Sequence, residues 1–161
     1  MSSEHHEIKE IKLPNAILLP QVSELLSKGH TVTLRLKGFS MRPFLEDNRD
    51  KALLGKPVDI KENDAVLAEI HPKTFVLHRL IKIEGDDVTL RGDGNLRCEY
   101  CKLEDIKGKV IAFYRKGRGK ADLTTGRKWK LYSKIWCSLY PVRRYLLAFY
   151  KRIWIPLLGT I

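Results

Sequence analysis

Three residues of this 161-residue chain have side chains suited to activating a hydroxyl: Ser40, His78 and Asp93. Ser40 lies in Gly38-Phe39-Ser40-Met41-Arg42-Pro43, directly after the strand-like run Thr31–Lys37. A glycine lets the backbone turn where a Cβ would clash, and a proline fixes φ and removes a donor. Between them Ser40 is held rigidly at a strand end, with Met41 placed to tuck beneath it. His78 stands 38 residues later, inside the apolar run Val76–Leu80. Asp93 follows after 15 more, on the glycine turn Arg91-Gly92-Asp93-Gly94-Asn95. Nucleophile, general base and the carboxylate that orients the base are the three roles of an activated serine. Each residue alone has a plainer reading: a turn serine, a core histidine, a hairpin aspartate. Their order and context together favour chemistry.

Gly-x-Ser-Met-x-Pro, then a hydrophobic strand ending in His-Arg, then Gly-Asp-x-Asn, resembles the signal peptidase I and LexA-type clan of serine peptidases. The resemblance spans residues 30–115. It implies a coiled β-barrel body and cleavage of precursor or leader peptides through an acyl-enzyme. Histidine at position 78 resembles the Ser-His branch of signal peptidases, whereas the bacterial leader peptidase and LexA branches use a lysine base. In the Ser-His branch the third member follows the glycine-aspartate turn by several residues. That makes Glu99 a rival to Asp93, and both stay open. Many signal peptidases carry a serine two residues before the nucleophile. This chain has Gly38 there, as LexA-type members do, so the oxyanion donors fall to the backbone N–H groups of Ser40 and Met41. Where the family usually has Gly-Asp in the following loop, this chain has Asn48-Arg49-Asp50, and Asp50 is read as a turn or ion-pair residue.

Composition narrows the class. With 43% hydrophobic residues the chain can build a core, and its length suits one domain with appendages. The opening Met1-Ser2-Ser3-Glu4-His5-His6-Glu7 is polar, so no signal segment is expected, and no apolar run of 18 residues suggests a spanning helix. Both depart from the anchored members of the family, and three cysteines that make no disulfide framework read as a cytoplasmic protein, or one peripheral on the cytoplasmic face of a membrane. Cys98 and Cys101 have CxxC spacing without a second Cys/His pair, and Cys137 stands apart; neither a metal nor a cofactor is expected.

The net charge of +11 is unevenly placed. From Arg115 to Arg152 there are 12 Lys/Arg against the single Asp122, so the rest of the chain is neutral. Trp129, Tyr132, Trp136 and Tyr140 recur at steps of 3, 4 and 4, and Tyr145, Leu146, Phe149, Tyr150 and Ile153 form a second face beyond Pro141. An aromatic, cationic amphipathic tail fits an anionic membrane surface or a membrane protein, through residues 128–154. Packing on the body or on a second copy is the alternative; nucleic acid is set aside because no recognition motif accompanies the bases.

The elements that must position the site follow from pattern. A helix is predicted across Ala16–Leu26, interrupted by Pro20. Thr74–Glu84 alternates, with Val76, His78, Leu80 and Lys82 on one face and Phe75, Leu77, Arg79, Ile81 and Ile83 on the other. Several short strands with turns between them give a mainly β body. The expected organisation is a flexible 1–12, a peptidase domain 13–116, a linker 117–127 and a helical tail 128–161. The expected function is a serine endopeptidase acting on a peptide or protein precursor. The alternative is a non-catalytic or self-cleaving regulator or scaffold on the same fold.

Overall fold

The computed structural model describes residues 15–161; the segment 1–12, read as a flexible end, lies outside the described residues. The chain is mainly antiparallel β, with one helix before the sheet and a helical segment after it. Helix α1 (Asn15–Ser27) precedes strands β1 (Val32–Arg35), β2 (Lys51–Gly55), β3 (Ala65–His71), β4 (Thr74–Glu84), β5 (Asp87–Arg91), β6 (Glu99–Lys102), β7 (Ile106–Tyr114) and β8 (Ala121–Leu123). Helices α2 (Arg127–Ser138) and α3 (Arg143–Phe149) follow, then a π-helical stretch Tyr150–Trp154 that runs into α4 (Ile155–Leu158).

The sheet order is β1-β2-β7-β3-β4-β5-β6, with β8 on the far part of β7. No ladder joins β1 to β6, so the sheet is open and the closed barrel is not formed. Register shifts interrupt the β2/β7, β3/β7 and β4/β5 ladders, and such bulges bend and twist a sheet. Helices seal the core face where closure would otherwise do so. Val22 and Leu26 of α1 and Trp129 of α2 pack with Met41, Phe44, Leu45, Ala52, Leu54, Leu67 and Phe113. A second cluster, Val66, Ala68, Leu80, Val88, Leu90 and Ile106, fills the other face.

Three expectations need correction. Pro20 lies inside α1 without ending it. Its missing N–H deletes the bond back to Ala16, a loss offset by the burial of Val22 and Leu26 in the turns that follow. On β4, Phe75 and Leu77 face the first cluster and Val76 and Leu80 the second, as alternation requires, but Ile83 joins Val76's side. The register shift between Leu80 and Lys82 inserts a residue and exchanges the faces beyond it.

The third concerns the C-terminal third. The stretch 117–127 carries β8, which pairs Ala121–Leu123 with β7. The aromatic face of α2 is spent on the body: Trp129 lies 5.1 Å from Phe44 and 4.9 Å from Phe113, and Tyr132 stacks on Phe44 at 4.5 Å. An aromatic face at helical spacing must be buried against something, and here the sheet supplies the partner. Trp129→Ala removes the centre of that cluster. We expect it to cost about 3–5 kcal/mol, read as a lowered urea midpoint; an unchanged midpoint would mean that α2 is not part of the cooperative core.

Candidate active site

Strand register decides which charged groups share a face. Residues opposite each other in an antiparallel pair project to the same side. The ladders pair Arg79 with Arg91, Leu80 with Leu90, and Leu90 with Glu99. Leu80, Leu90 and Glu99 therefore share one side, and His78, two residues before Leu80, shares it too. Arg79 and Arg91 take the opposite side.

Contacts follow that division. His78 Nδ1 is hydrogen-bonded to Glu99 Oε2. A carboxylate only accepts, so Nδ1 carries the proton and donates, which leaves the Nε2 lone pair as the basic site. His78 is 3% exposed. Burial holds its imidazole below the ordinary value of 6.5, and the carboxylates of Glu99 and Asp93 offset that in part.

Asp93 does not sit on the histidine ring. Its carboxylate accepts from Arg79 Nε at 2.8 Å, from Arg79 Nη2 at 2.7 Å and from Tyr132 Oη at 2.8 Å. Asp93 and Arg79 are both fully buried. Burial opposes the Arg79 charge, but the hydrogen bonds and charge of Asp93 outweigh it and raise its pKa. Arg79 Nη1 also donates to Ser133 Oγ at 2.6 Å and to the Asn63 carbonyl at 3.0 Å. Trp136 Nε1 donates to the Asp93 carbonyl at 3.0 Å. Of the two carboxylates weighed for His78, Glu99 is the one on its ring; Asp93 ties β4 and the glycine turn to α2.

Ser40 sits where a turn meets a turn. Gly38 has φ of 87°, a conformation open to glycine, and its N–H donates to Asp47 Oδ1 at 2.6 Å. Met41 is buried beneath, and the N–H groups of Ser40 and Met41 make no hydrogen bond among the described residues. The Ser40 carbonyl accepts from Gly94 N–H at 2.7 Å. Gly92 allows this approach: a Cβ there would lie 3.0 Å from Ser40 Cβ, 2.9 Å from Asn95 Nδ2, and closer still to the Ser40 carbonyl oxygen. Ser40 also lines a cavity of about 50 Å³ with Leu36, Gly38, Met41, Leu45 and Leu77, whose side chain takes the face of β4 opposite to His78. The structure thus brings Ser40 to the glycine turn and next to β4. Among the described residues no hydrogen bond joins Ser40 Oγ to His78, and none engages His78 Nε2.

Sequence reasoning left four contributors without roles. Asn95, quoted only as part of a motif, places its amide against Gly92, where Ser40 also approaches. Tyr132, Ser133 and Trp136 were read as tail residues, yet they complete the shell around Asp93 and Arg79. The visible signal was Arg79 itself, a charge within an apolar run that needs a buried carboxylate. Elsewhere, Asp50 is an ion-pair residue, bonded by Arg49 at 2.8 Å and by the N–H groups of Glu46 and Lys116. Cys98, Cys101 and Cys137 are free thiols, and burial pushes Cys101 up to about 11. Among the described residues no group of three or more His, Cys, Asp or Glu side chains could hold a metal ion.

No family model matches the chain, and no curated protein matches it.

The two carboxylates have separable consequences. Asp93→Asn leaves Arg79 as an uncompensated buried charge and should cost about 3–5 kcal/mol in chemical denaturation, whereas Glu99→Ala should cost at most about 1 kcal/mol. Equal losses would contradict the assignment. An NMR titration of His78 should give a midpoint below 6.5, and Glu99→Ala should lower it further, because the carboxylate removed is one that raises it. The unfolded chain takes up this proton near 6.5 and the folded chain only lower. His78 therefore contributes stability above that pH and loses it as pH falls.

Proposed function

We propose that the protein is a serine endopeptidase of signal-peptidase type, acting on precursor or leader peptides. Ser40 Oγ attacks the scissile carbonyl and passes its proton to His78 Nε2. Glu99 holds the ring by Nδ1 and stabilises the imidazolium that forms. The N–H groups of Ser40 and Met41 receive the oxyanion. The leaving amine takes the proton from His78, and water, activated by the same nitrogen, releases the acyl group. Nothing in this sequence asks for a cofactor.

One observation carries the reading: the Glu99 carboxylate on His78 Nδ1, with Nε2 unengaged. That contact fixes the proton on Nδ1 and leaves Nε2 free to take one from a hydroxyl. Ser40 supports it by its confinement, since its carbonyl is fixed by the Gly94 N–H and its neighbours leave no room for a Cβ at Gly92.

A second reading, a non-catalytic or self-cleaving scaffold on the same fold, is favoured by the lack of a hydrogen bond between Ser40 and His78. Catalytic hydrogen bonds are often long in the free enzyme and tighten on the substrate, which is why the peptidase reading stands first.

A fluorophosphonate probe separates the two. Labelling should map to Ser40, vanish in Ser40→Ala and slow by roughly 10²- to 10⁴-fold in His78→Ala. Gly92→Ala should also slow it, by displacing the Ser40 turn. Its pH dependence should rise through a midpoint below 6.5, as neutral His78 becomes available. No labelling of the folded wild type, or equal labelling in His78→Ala, would exclude the Ser-His mechanism.

A further inference from the structure

The structure splits the basic tail into two parts with different fates. The aromatic face of α2 is consumed by the body. Beyond it, Tyr145, Phe149, Ile153 and Leu157 are 67%, 49%, 47% and 75% exposed, and Val142 and Leu158 are exposed beside them. From Val142 the steps to Tyr145, Phe149, Ile153 and Leu157 are 3, 4, 4 and 4. Steps of four drift around a regular α-helix of 3.6 residues per turn. The wider turn of the π-helical stretch Tyr150–Trp154 offsets that drift and keeps these side chains in one stripe.

The stripe is preformed. Tyr150 is buried against the body, and its hydroxyl accepts from Ile161 N–H at 3.1 Å. Arg49 donates to Thr160 Oγ1 at 2.9 Å and to the Ile161 oxygen at 2.8 Å. The helical segment is therefore anchored at its far end as well as through α2.

Its charge is of one sign. From residue 123 to residue 161 there are eight Lys/Arg and no Asp or Glu. Arg143 turns inward, donating to the Trp136 carbonyl at 2.7 Å, and Lys128 pairs with Asp122. Arg144, Lys151 and Arg152 are exposed, and no ion pair among the described residues involves them.

We propose that the exposed face of α3, the π-helical stretch and α4 is a docking surface for an anionic lipid bilayer. Tyr145, Phe149, Ile153 and Leu157 enter the headgroup boundary, and Arg144, Lys151 and Arg152 meet lipid phosphates. Aromatic and aliphatic side chains beside uncompensated cations suit that boundary. A second copy fits less well, because it would bring the same positive charge and no acid to meet it. This proposal does not depend on the peptidase reading; it specifies where the molecule sits, not what it cleaves.

The test is flotation of the full chain with phosphatidylcholine vesicles, with and without phosphatidylglycerol. The chain should float with the anionic vesicles, stay behind with the neutral ones, and be released as the screening length falls from about 10 Å to about 3 Å in high salt. Replacing Arg144, Lys151 and Arg152 together by Gln should lower the partition coefficient by roughly 100-fold. Phe149→Ser with Leu157→Ser should also release the chain, with an unchanged thermal melt showing that the fold is kept. Failure of the wild type to float with anionic vesicles, equal flotation with neutral ones, or a Gln triple variant that floats like wild type would each overturn the proposal. So would a dimer in sedimentation that the two serine substitutions disperse while vesicles bind nothing, since the stripe would then belong to a second copy.

Discussion

The ion pair between Arg79 and Asp93 is the constraint on which the other arrangements rest. Both side chains are wholly removed from water, and a lone buried charge is expensive. The pair is tolerated because it is nearly saturated with partners. Arg79 donates to both oxygens of Asp93, to Ser133 and to Asn63, and its guanidinium lies 4.5 Å from the Trp129 ring centre. Asp93 receives Tyr132 as well, and burial beside Asp93 pushes that phenol well above its usual range, keeping it a donor. Strand β4, the glycine turn and α2 are therefore bound to one another through two side chains. The turn so fixed is the one whose Gly94 N–H holds the Ser40 carbonyl. Asp93, a candidate for touching the His78 ring, instead helps to fix the position of Ser40.

Strand parity explains why the roles fall this way. Asp93 lies two residues beyond Arg91, on the side of the sheet that Arg79 and α2 occupy. His78 is one residue from Arg79 and so points to the other side, where Glu99 of β6 arrives opposite Leu90. A one-residue slip in the β5/β6 register would turn Glu99 away from the ring. Leu90 and Val88, buried in the second cluster, and Cys101 packed against it hold that register by their apolar bulk. The contact between His78 and Glu99 is in this sense a product of core packing.

These residues also show what was legible beforehand. The alternation of β4 was visible from Phe75 to Leu80 because each side chain obeys period two, and it failed only past the bulge, which leaves no local mark in Leu80-Ile81-Lys82. Strand β6 was not visible: four residues containing Glu99 and Lys102 carry weak strand propensity, so Glu99 entered only through a resemblance. The Ser40 turn was legible from Gly38 and Pro43. Its partner turn was legible as a turn, but its attachment to Ser40 depends on Gly92 lacking a Cβ, which no pattern announces. The tail's aromatic period was plain, yet an amphipathic face says only that it must be covered, never by what. Phe44 and Phe113, 85 and 16 residues before Trp129, supply that cover.

The two halves of the tail differ because the sheet has a finite apolar and cation-binding surface to offer. The rings of Trp129 and Tyr132 find Phe44 and Arg79, Tyr140 lies 3.7 Å from the Arg91 guanidinium, and Trp136 faces Arg143 at 5.1 Å. Burial and the neighbouring Arg91 charge push Arg143 below its usual value, a cost accepted where aromatic faces and the Trp136 carbonyl compensate it. Past Arg143 the body supplies no further ring or cation partner among the described residues, and Tyr145 meets only the guanidinium of its chain neighbour Arg144, at 5.4 Å. Tyr150 still turns inward, but Tyr145, Phe149, Ile153 and Leu157 have no protein surface left to cover them. Among the described residues no helix is long and apolar enough to cross a membrane. What the body leaves uncovered is therefore a stripe of apolar side chains beside the exposed cations Arg144, Lys151 and Arg152.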